Sequence, residues 1–176
     1  SDLARALVIE DGKRRAIVLS LEVCGTPRSL AEKIRRAAAA QVPGAQPDDV
    51  FVSSTHTHST PAVGGTFGWG EPDALYVETL PTRAAAAVKA AWQARGKLEW
   101  RHAQVPCEGI AVNRETDAGF AMNAEFAELS KPTWRPEHPE QTDPKVRGLA
   151  AYAKGRLAGL LHHFCCHPVV YGEKTA

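Results

Sequence analysis

Two histidines separated by one residue are the most chemically suggestive feature of the sequence. His56 and His58 lie in the run SSTHTHSTP (53–61), which follows a strand-like stretch and precedes a glycine-rich loop. Side chains two positions apart on an extended backbone point the same way, and neutral imidazole is the commonest metal ligand. The segment therefore predicts half of a zinc site at a strand end, where open α/β sheets place their ligand crevices. The alternative is a pair of surface histidines in a polar loop.

A second histidine-bearing segment closes the chain. The stretch 157–166 has a strand-like pattern, and the sequence around its end reads LLHHFCCHP (160–168). By the two-residue period of a strand, His163, Cys165 and His167 share one face. Pro168 cannot continue a strand without losing a ladder hydrogen bond, so His167 is again expected at a strand terminus. The alternative is that one of the histidines is a core residue.

The elements that would position these histidines alternate along the chain. Residues 3–10 and 15–22 have strand patterns joined at a hairpin-type dipeptide, Asp11-Gly12. Ser29 with Glu32 indicates a capping box that opens an alanine-rich helix, and a strand over 49–53 leads to the two histidines.

The second half has a helical pattern ending near residue 95, then strand patterns over 97–105, 146–152 and 157–166. Residues 115–145 are polar and proline-rich, as in a long functional loop. The order β-β-α-β-α-β-β-β predicts an α/β fold, a mixed β-sheet flanked by helices with the metal site at strand ends.

The composition narrows the classes of partner that the protein could bind. The 176 residues are enough for one domain with a core, and 21 basic against 20 acidic residues give no electrostatic case for nucleic acid. No apolar run approaches the roughly 20 residues that cross a bilayer. The four cysteines form no C-x-x-C pair, which favours simple packing for all of them, with a thiolate ligand from Cys165 or Cys166 as the alternative.

These residues together resemble a known family. The Thr-His-Thr-His-Ser motif, followed by Pro61 and a glycine pair, is similar to the signature of the neutral/alkaline, non-lysosomal ceramidases. Asn113-Arg114 falls where that family carries an Asn-Arg pair, and the Phe-x-x-His-Pro stretch ending at Pro168 resembles its second histidine strand. The first two strands resemble the bacterial branch, so the resemblance extends over nearly the whole chain.

The resemblance implies a zinc amidohydrolase that cleaves the amide of N-acylsphingosine, a lipid amide substrate. By position, His56 and His167 would be zinc ligands. His58 would be an active-site histidine that contacts substrate or moves protons, and Arg114 would bind substrate or stabilise the oxyanion. Residues 1–176 would form a single α/β domain, the N-terminal part of a longer catalytic domain whose other ligands, a Glu and a Tyr, lie downstream. The resemblance also implies a secreted or periplasmic location.

Departures from the family pattern keep other interpretations open. Thr60 stands where the family usually has Gly, and Glu115 stands where it has Ser. The alternatives are another metal-dependent amidohydrolase or esterase, or a non-catalytic module with an incomplete metal site. The alternative for Arg114 is a plain surface residue, and Glu22 either orients a ligand histidine or is a surface residue before a turn.

Overall fold

The computed structural model describes residues 4–64, 70–111, 115–116, 119–120 and 138–167. Two compact units divide the chain: Ser1–Arg95 with Pro168–Ala176, and Gly96–His167. Predicted site residues fall in both units, so each unit is described by itself.

The first unit is built on a mixed three-stranded sheet. Strand β1 (Ala4–Glu10) pairs antiparallel with β2 (Arg15–Leu21), and β2 pairs parallel with β3 (Val50–Ser54). The central strand β2 is apolar at alternate positions, and the side chains at 17, 19 and 21 are almost fully buried. Burial of every second side chain follows from the two-residue period of a strand. The predicted mixed sheet is therefore confirmed.

Two helices flank this sheet and pack on each other. Helix α1 (Arg28–Ala39) lies against β3, and α2 (Ala74–Gln93) lies mainly against β1. The Asp73 side chain accepts a hydrogen bond of 3.0 Å from the Tyr76 amide and so caps α2, which continues through Pro81. The buried side chains of both helices join those of β2 in one apolar core. No helix in the described part of the chain is long and apolar enough to cross a membrane.

The start of α1 differs from the prediction. The helix begins at Arg28 after Pro27, and no side chain caps it, so the predicted capping box of Ser29 and Glu32 is wrong. Pro27 has the extended backbone of an N-cap residue (φ −55°, ψ 148°), which moves the helix start ahead of Ser29. Glu32 instead pairs with Arg28 across one turn, with Nε and Oε1 3.0 Å apart.

The second unit contains an antiparallel three-stranded sheet. Its strands are β4 (Glu99–Pro106), β7 (Lys145–Ala153) and β8 (Arg156–His163), in the order β4-β7-β8. A short separate pair is formed by β5 (Glu115–Thr116) and β6 (Gly119–Phe120). Lys154 and Gly155 join β7 to β8 with φ of 49° and 76°, as in a tight hairpin turn. The predicted order of the longer elements is confirmed in both units.

Strand β8 is shorter than predicted. It ends at His163, and the Cys166 amide donates to the Phe164 carbonyl at 2.9 Å, a turn that is incompatible with a continued strand. Strand alternation therefore does not extend to His167. The prediction that His163, Cys165 and His167 share one strand face, with His167 at the strand terminus, is wrong.

Candidate metal centre

The candidate site lies where two parallel strands end side by side. Beyond β2 and β3 the pairing continues, since the Thr55 amide donates to the Leu21 carbonyl at 2.9 Å and the His56 amide to the Val23 carbonyl at 3.0 Å. The Thr26 and Ser54 hydroxyls are 2.7 Å apart and join the same two segments. These bonds fix the segment after β2 against the segment after β3.

The two imidazoles converge, but not for the reason predicted. His56 has φ of 63°, in the left-handed region that non-glycine residues rarely adopt, so the H-x-H segment is not extended. The rings nevertheless meet edge to face, with centroids 4.9 Å apart and an interplanar angle of 85°. Their Nε2 atoms are 3.5 Å apart. A turn of the backbone, and not strand alternation, brings the two nitrogens together.

The protonation pattern of His56 follows from its partner. Its Nδ1 lies 2.6 Å from the carbonyl oxygen of Cys24. A carbonyl only accepts hydrogen bonds, so Nδ1 carries the hydrogen and the Nε2 lone pair is directed towards His58. Ligand histidines in metal sites are typically oriented in this way by a backbone carbonyl on the second nitrogen.

The spacing leaves room for a zinc ion. An ion on the Nε2 lone pair of His56, at a zinc–nitrogen distance of about 2.0–2.1 Å, would lie beside His58, whose Nε2 is 3.5 Å from that of His56. Cys24 adds a third donor, because one ligand atom from each of the three residues lies within 4.8 Å of the others. All three side chains are partly buried. A Cys/His/His group that can hold a metal therefore exists in the described part of the first unit.

Cys24 is the member of this group that sequence reasoning missed. It follows β2 as His56 follows β3, and the carboxyl ends of neighbouring parallel strands meet at one sheet edge. The position of Cys24 directly after a strand was the sequence signal that could have identified it, but the sequence alone does not show that β2 and β3 are neighbours. Burial raises the pKa of the Cys24 thiol, which disfavours the thiolate while no cation lies nearby.

Two other predicted residues lie outside the described part of the first unit. His167 belongs to the second unit and is exposed, and Arg114 is not among the described residues. Their assigned roles stay predictions. Glu22 forms an ion pair with Arg5, with Oε1 and NH1 2.6 Å apart, while the Cys24 carbonyl orients His56.

Buried hydroxyl groups flank the histidines in the sequence. The Thr55 hydroxyl is buried without a hydrogen-bond partner in the described structure. The buried hydroxyls of Thr60 and Tyr76 interact with each other, which lowers the pKa of the Tyr76 phenol, although burial raises that pKa by more. Since an unpaired buried hydroxyl is costly, that of Thr55 is suited to bind a water molecule or a polar group of a ligand.

The second unit has a depression of its own, of about 450 Å³. It is formed on the β4-β7-β8 sheet by residues that include His102, Gln104 and Arg147. Arg147 is already paired with Asp143, at 2.7 Å between NH1 and Oδ2. Because this depression is open and Arg147 is already paired, we assign the candidate catalytic chemistry to the His56–His58 site.

Fold and site together define an α/β protein with an imidazole pair and a thiol at the carboxyl ends of parallel strands. No protein-family model matches the sequence, and no curated protein does. Among solved structures, neutral ceramidase from Pseudomonas aeruginosa is similar in fold, with a TM-score of 0.66 and 21% identity over 93% of this chain and 26% of that chain. A ceramidase complexed with C2 is also similar, with a TM-score of 0.62 and 21% identity over 93% of this chain and 25% of the other.

The resemblance indicated by the sequence motifs is thereby confirmed as a likeness of fold: this chain is similar in fold to a region of neutral ceramidase. It spans about a quarter of the length of the structures it matches. Fold does not fix chemistry, so activity is argued from the site.

Proposed function

We propose that the chain is part of a zinc-dependent hydrolase of the neutral-ceramidase type that cleaves an N-acyl amide. The observation that carries the proposal is the His56–His58 pair, whose Nε2 atoms are 3.5 Å apart while the Cys24 carbonyl fixes the tautomer of His56. The similar solved structures bear ceramidase names, which supports an N-acyl lipid as the substrate class. We further propose that residues 1–176 form the N-terminal part of a longer catalytic domain, in a secreted or periplasmic protein.

Each predicted residue has a role in this proposal. His56 would hold the ion through Nε2, and His167 would be a further ligand. A zinc ion held there would supply a water of pKa about 7 and polarise the amide carbonyl. His58, with its Nε2 3.5 Å from that of His56, moves a proton to the leaving amine. Arg114 binds the substrate or stabilises the oxyanion that forms on its carbonyl oxygen.

The decisive test combines metal analysis with an amide hydrolysis assay on the intact protein. We expect about one zinc per chain and release of fatty acid from N-acyl amides, with ceramides tested first. A chelator should remove both the zinc and the activity, and added zinc should restore both.

The matched variants are His56→Ala and His102→Ala. His56→Ala removes the oriented imidazole and should abolish zinc binding and hydrolysis together. His102 is an exposed histidine of β4 in the second unit, so His102→Ala should leave both unchanged. Full activity in His56→Ala would contradict the proposal.

The same assay separates the alternatives. Zinc binding with hydrolysis of esters and not of amides would identify another metal-dependent hydrolase. Zinc binding without hydrolysis of either class would identify a non-catalytic module.

A further inference from the structure

The segment that follows the two histidines is attached to the start of helix α2. The Asp73 amide donates to the Ala62 carbonyl at 3.0 Å. The hydroxyls of Thr60 and Tyr76 are both buried and interact with each other. Thr60 is only two positions from His58 in the chain, so this hydroxyl contact is the attachment nearer to the imidazole.

Tyr76 is a rigid partner for this contact. Its amide donates to Oδ1 of Asp73 at 3.0 Å, and its carbonyl accepts from the Thr79 hydroxyl at 2.7 Å. Its side chain packs against the apolar core of the first unit. Backbone and ring are thus both held by the first turn of α2, so the phenol hydroxyl is a fixed point for the histidine segment.

The contact depends on both of its partners. No other hydrogen-bond partner of either hydroxyl lies among the described residues. A buried hydroxyl without a partner is unfavourable, so Thr60 and Tyr76 each satisfy a group that would otherwise be left unpaired. This mutual dependence favours one position of the segment over others that would separate the two hydroxyls.

We propose that the Thr60–Tyr76 contact holds His58 in the orientation in which it moves a proton, which makes Thr60 and Tyr76 positioning residues. On the other side of His58, the bond of 3.0 Å from the His56 amide to the Val23 carbonyl fixes the backbone. His58 therefore lies between two fixed residues, and loss of either one leaves its imidazole less well placed. Misplacement of a catalytic group by about 1 Å can cost roughly 10²-fold in rate. The inference rests on the proposed function for the role of His58 as a proton carrier.

Removal of one hydroxyl at a time tests the contact in the intact protein. Tyr76→Phe and Thr60→Val keep the side-chain shape and should each lower kcat by about 10-fold, with KM and zinc content near those of wild type. Thr60→Ser keeps a hydroxyl and should retain most of the rate. The double variant should be no slower than either single variant, because the second substitution has no contact left to break.

A His58→Ala background shows whether the contact acts through His58. In that background Tyr76→Phe should lower kcat no further, since no imidazole is left to position. A general structural contribution of Tyr76 would instead lower kcat by the same factor in both backgrounds.

Tyr152 provides the matched control. It lies in β7 of the second unit, where the Arg101 guanidinium carbon is 4.7 Å from the centroid of its ring. Tyr152→Phe therefore also removes one phenol hydroxyl, and it should leave kcat unchanged.

Hydrogen exchange tests the contact without any assay of hydrolysis. The Ser59 amide donates to the Thr57 hydroxyl at 3.3 Å, and the Asp73 amide donates to the carbonyl of Ala62, so both amides report on the segment that the contact holds. Peptides that contain these two amides should exchange faster in Tyr76→Phe than in wild type. Peptides from β2 should be unchanged, which shows that the variant is folded.

Several results would overturn the inference. These are a wild-type kcat in Tyr76→Phe, a double variant that loses the product of both single effects, an undiminished effect in the His58→Ala background, or unchanged exchange of the two peptides. A wild-type protein that cleaves no amide refutes the proposed function instead, and the exchange rates then decide whether the contact holds the segment. An active protein in which Tyr76→Phe changes neither kcat nor exchange keeps the hydrolase and refutes the positioning role.

Discussion

At the scale of single residues, the backbone conformation of His56 determines the geometry of the site. A φ of 63° costs energy in a residue with a Cβ atom, and such strain is kept where the surrounding structure fixes it. Here the amide bond to Val23 and the ring bond to the Cys24 carbonyl hold the residue on both sides. The left-handed turn directs the imidazole of His56 towards His58. An extended segment of the same sequence would orient this ring differently.

His58 is the residue whose role a single variant can define. As a proton carrier beside the ion, His58→Ala should keep its zinc and lower kcat by about 10²- to 10⁴-fold, the usual contribution of a general acid or base. Metal content and kcat measured on the same preparation test this. Added imidazole should restore part of the rate in His58→Ala. Loss of zinc together with activity would instead make His58 a metal ligand.

At the scale of elements, the turn between β1 and β2 is fixed by one carboxylate. Asp11 Oδ1 accepts hydrogen bonds from the amides of Lys13 at 3.0 Å and Arg14 at 2.8 Å. Both hydrogen bonds lower the pKa of Asp11 below its usual 3.8, and the bond from the Arg14 amide has the larger effect. Because β2 lies between β1 and β3, this turn supports the strand that carries Cys24 beyond its end.

The lowered pKa predicts an acid dependence of stability. A carboxyl group whose pKa is lower in the folded state stabilises the fold above its unfolded pKa, and that contribution is lost as the pH falls through the folded value. Asp11→Ala should therefore be less stable than wild type at neutral pH, and the difference should vanish in strong acid. Urea unfolding across pH 2–7 measures it.

A second variant separates charge from hydrogen bonding in this turn. Asp11→Asn keeps an oxygen acceptor but does not titrate. Its stability at neutral pH should therefore lie between those of wild type and Asp11→Ala, and it should lack the extra acid dependence of wild type. A difference between wild type and Asp11→Ala that stays constant over the pH range would show that the carboxylate charge has no part in stabilising the turn.

The sequence predicts elements better than it predicts their ends. The apolar period of β2 and the Asp11-Gly12 turn are local signals, and the order of strands and helices follows from them. Strand β8 ends at His163, and His56 has a left-handed backbone. Both features depend on hydrogen bonds that the apolar periodicity of the sequence does not encode. Cys24 was missed for a related reason: its partner is 32 positions away, and only the parallel pairing of β2 with β3 brings them together.

At the scale of the whole molecule, burial is distributed unevenly between the two units. Among the described residues, all buried apolar side chains except Ala151 lie in the first unit. In the second unit, β4 is exposed along its whole length, and Leu157 and Leu160 of β8 are more than half exposed. The candidate metal site therefore lies in the unit that has the larger apolar core among the described residues.

The central strands of the two sheets offer a matched comparison of this difference. Strands β2 and β7 are each hydrogen-bonded on both edges, but β2 has side chains 0–1% exposed at three positions whereas β7 buries only Ala151.

Amide exchange needs opening of the hydrogen bonds, and the free-energy cost of opening follows the apolar contacts that break with them. Amides of β2 should therefore exchange only with global unfolding and respond to low urea with the full unfolding slope. Those of β7 should exchange faster by local opening, with little dependence on urea. Hydrogen exchange followed by mass spectrometry of peptides from both strands tests this, and equal protection would show that hydrogen-bond pairing, and not the buried core, sets local stability.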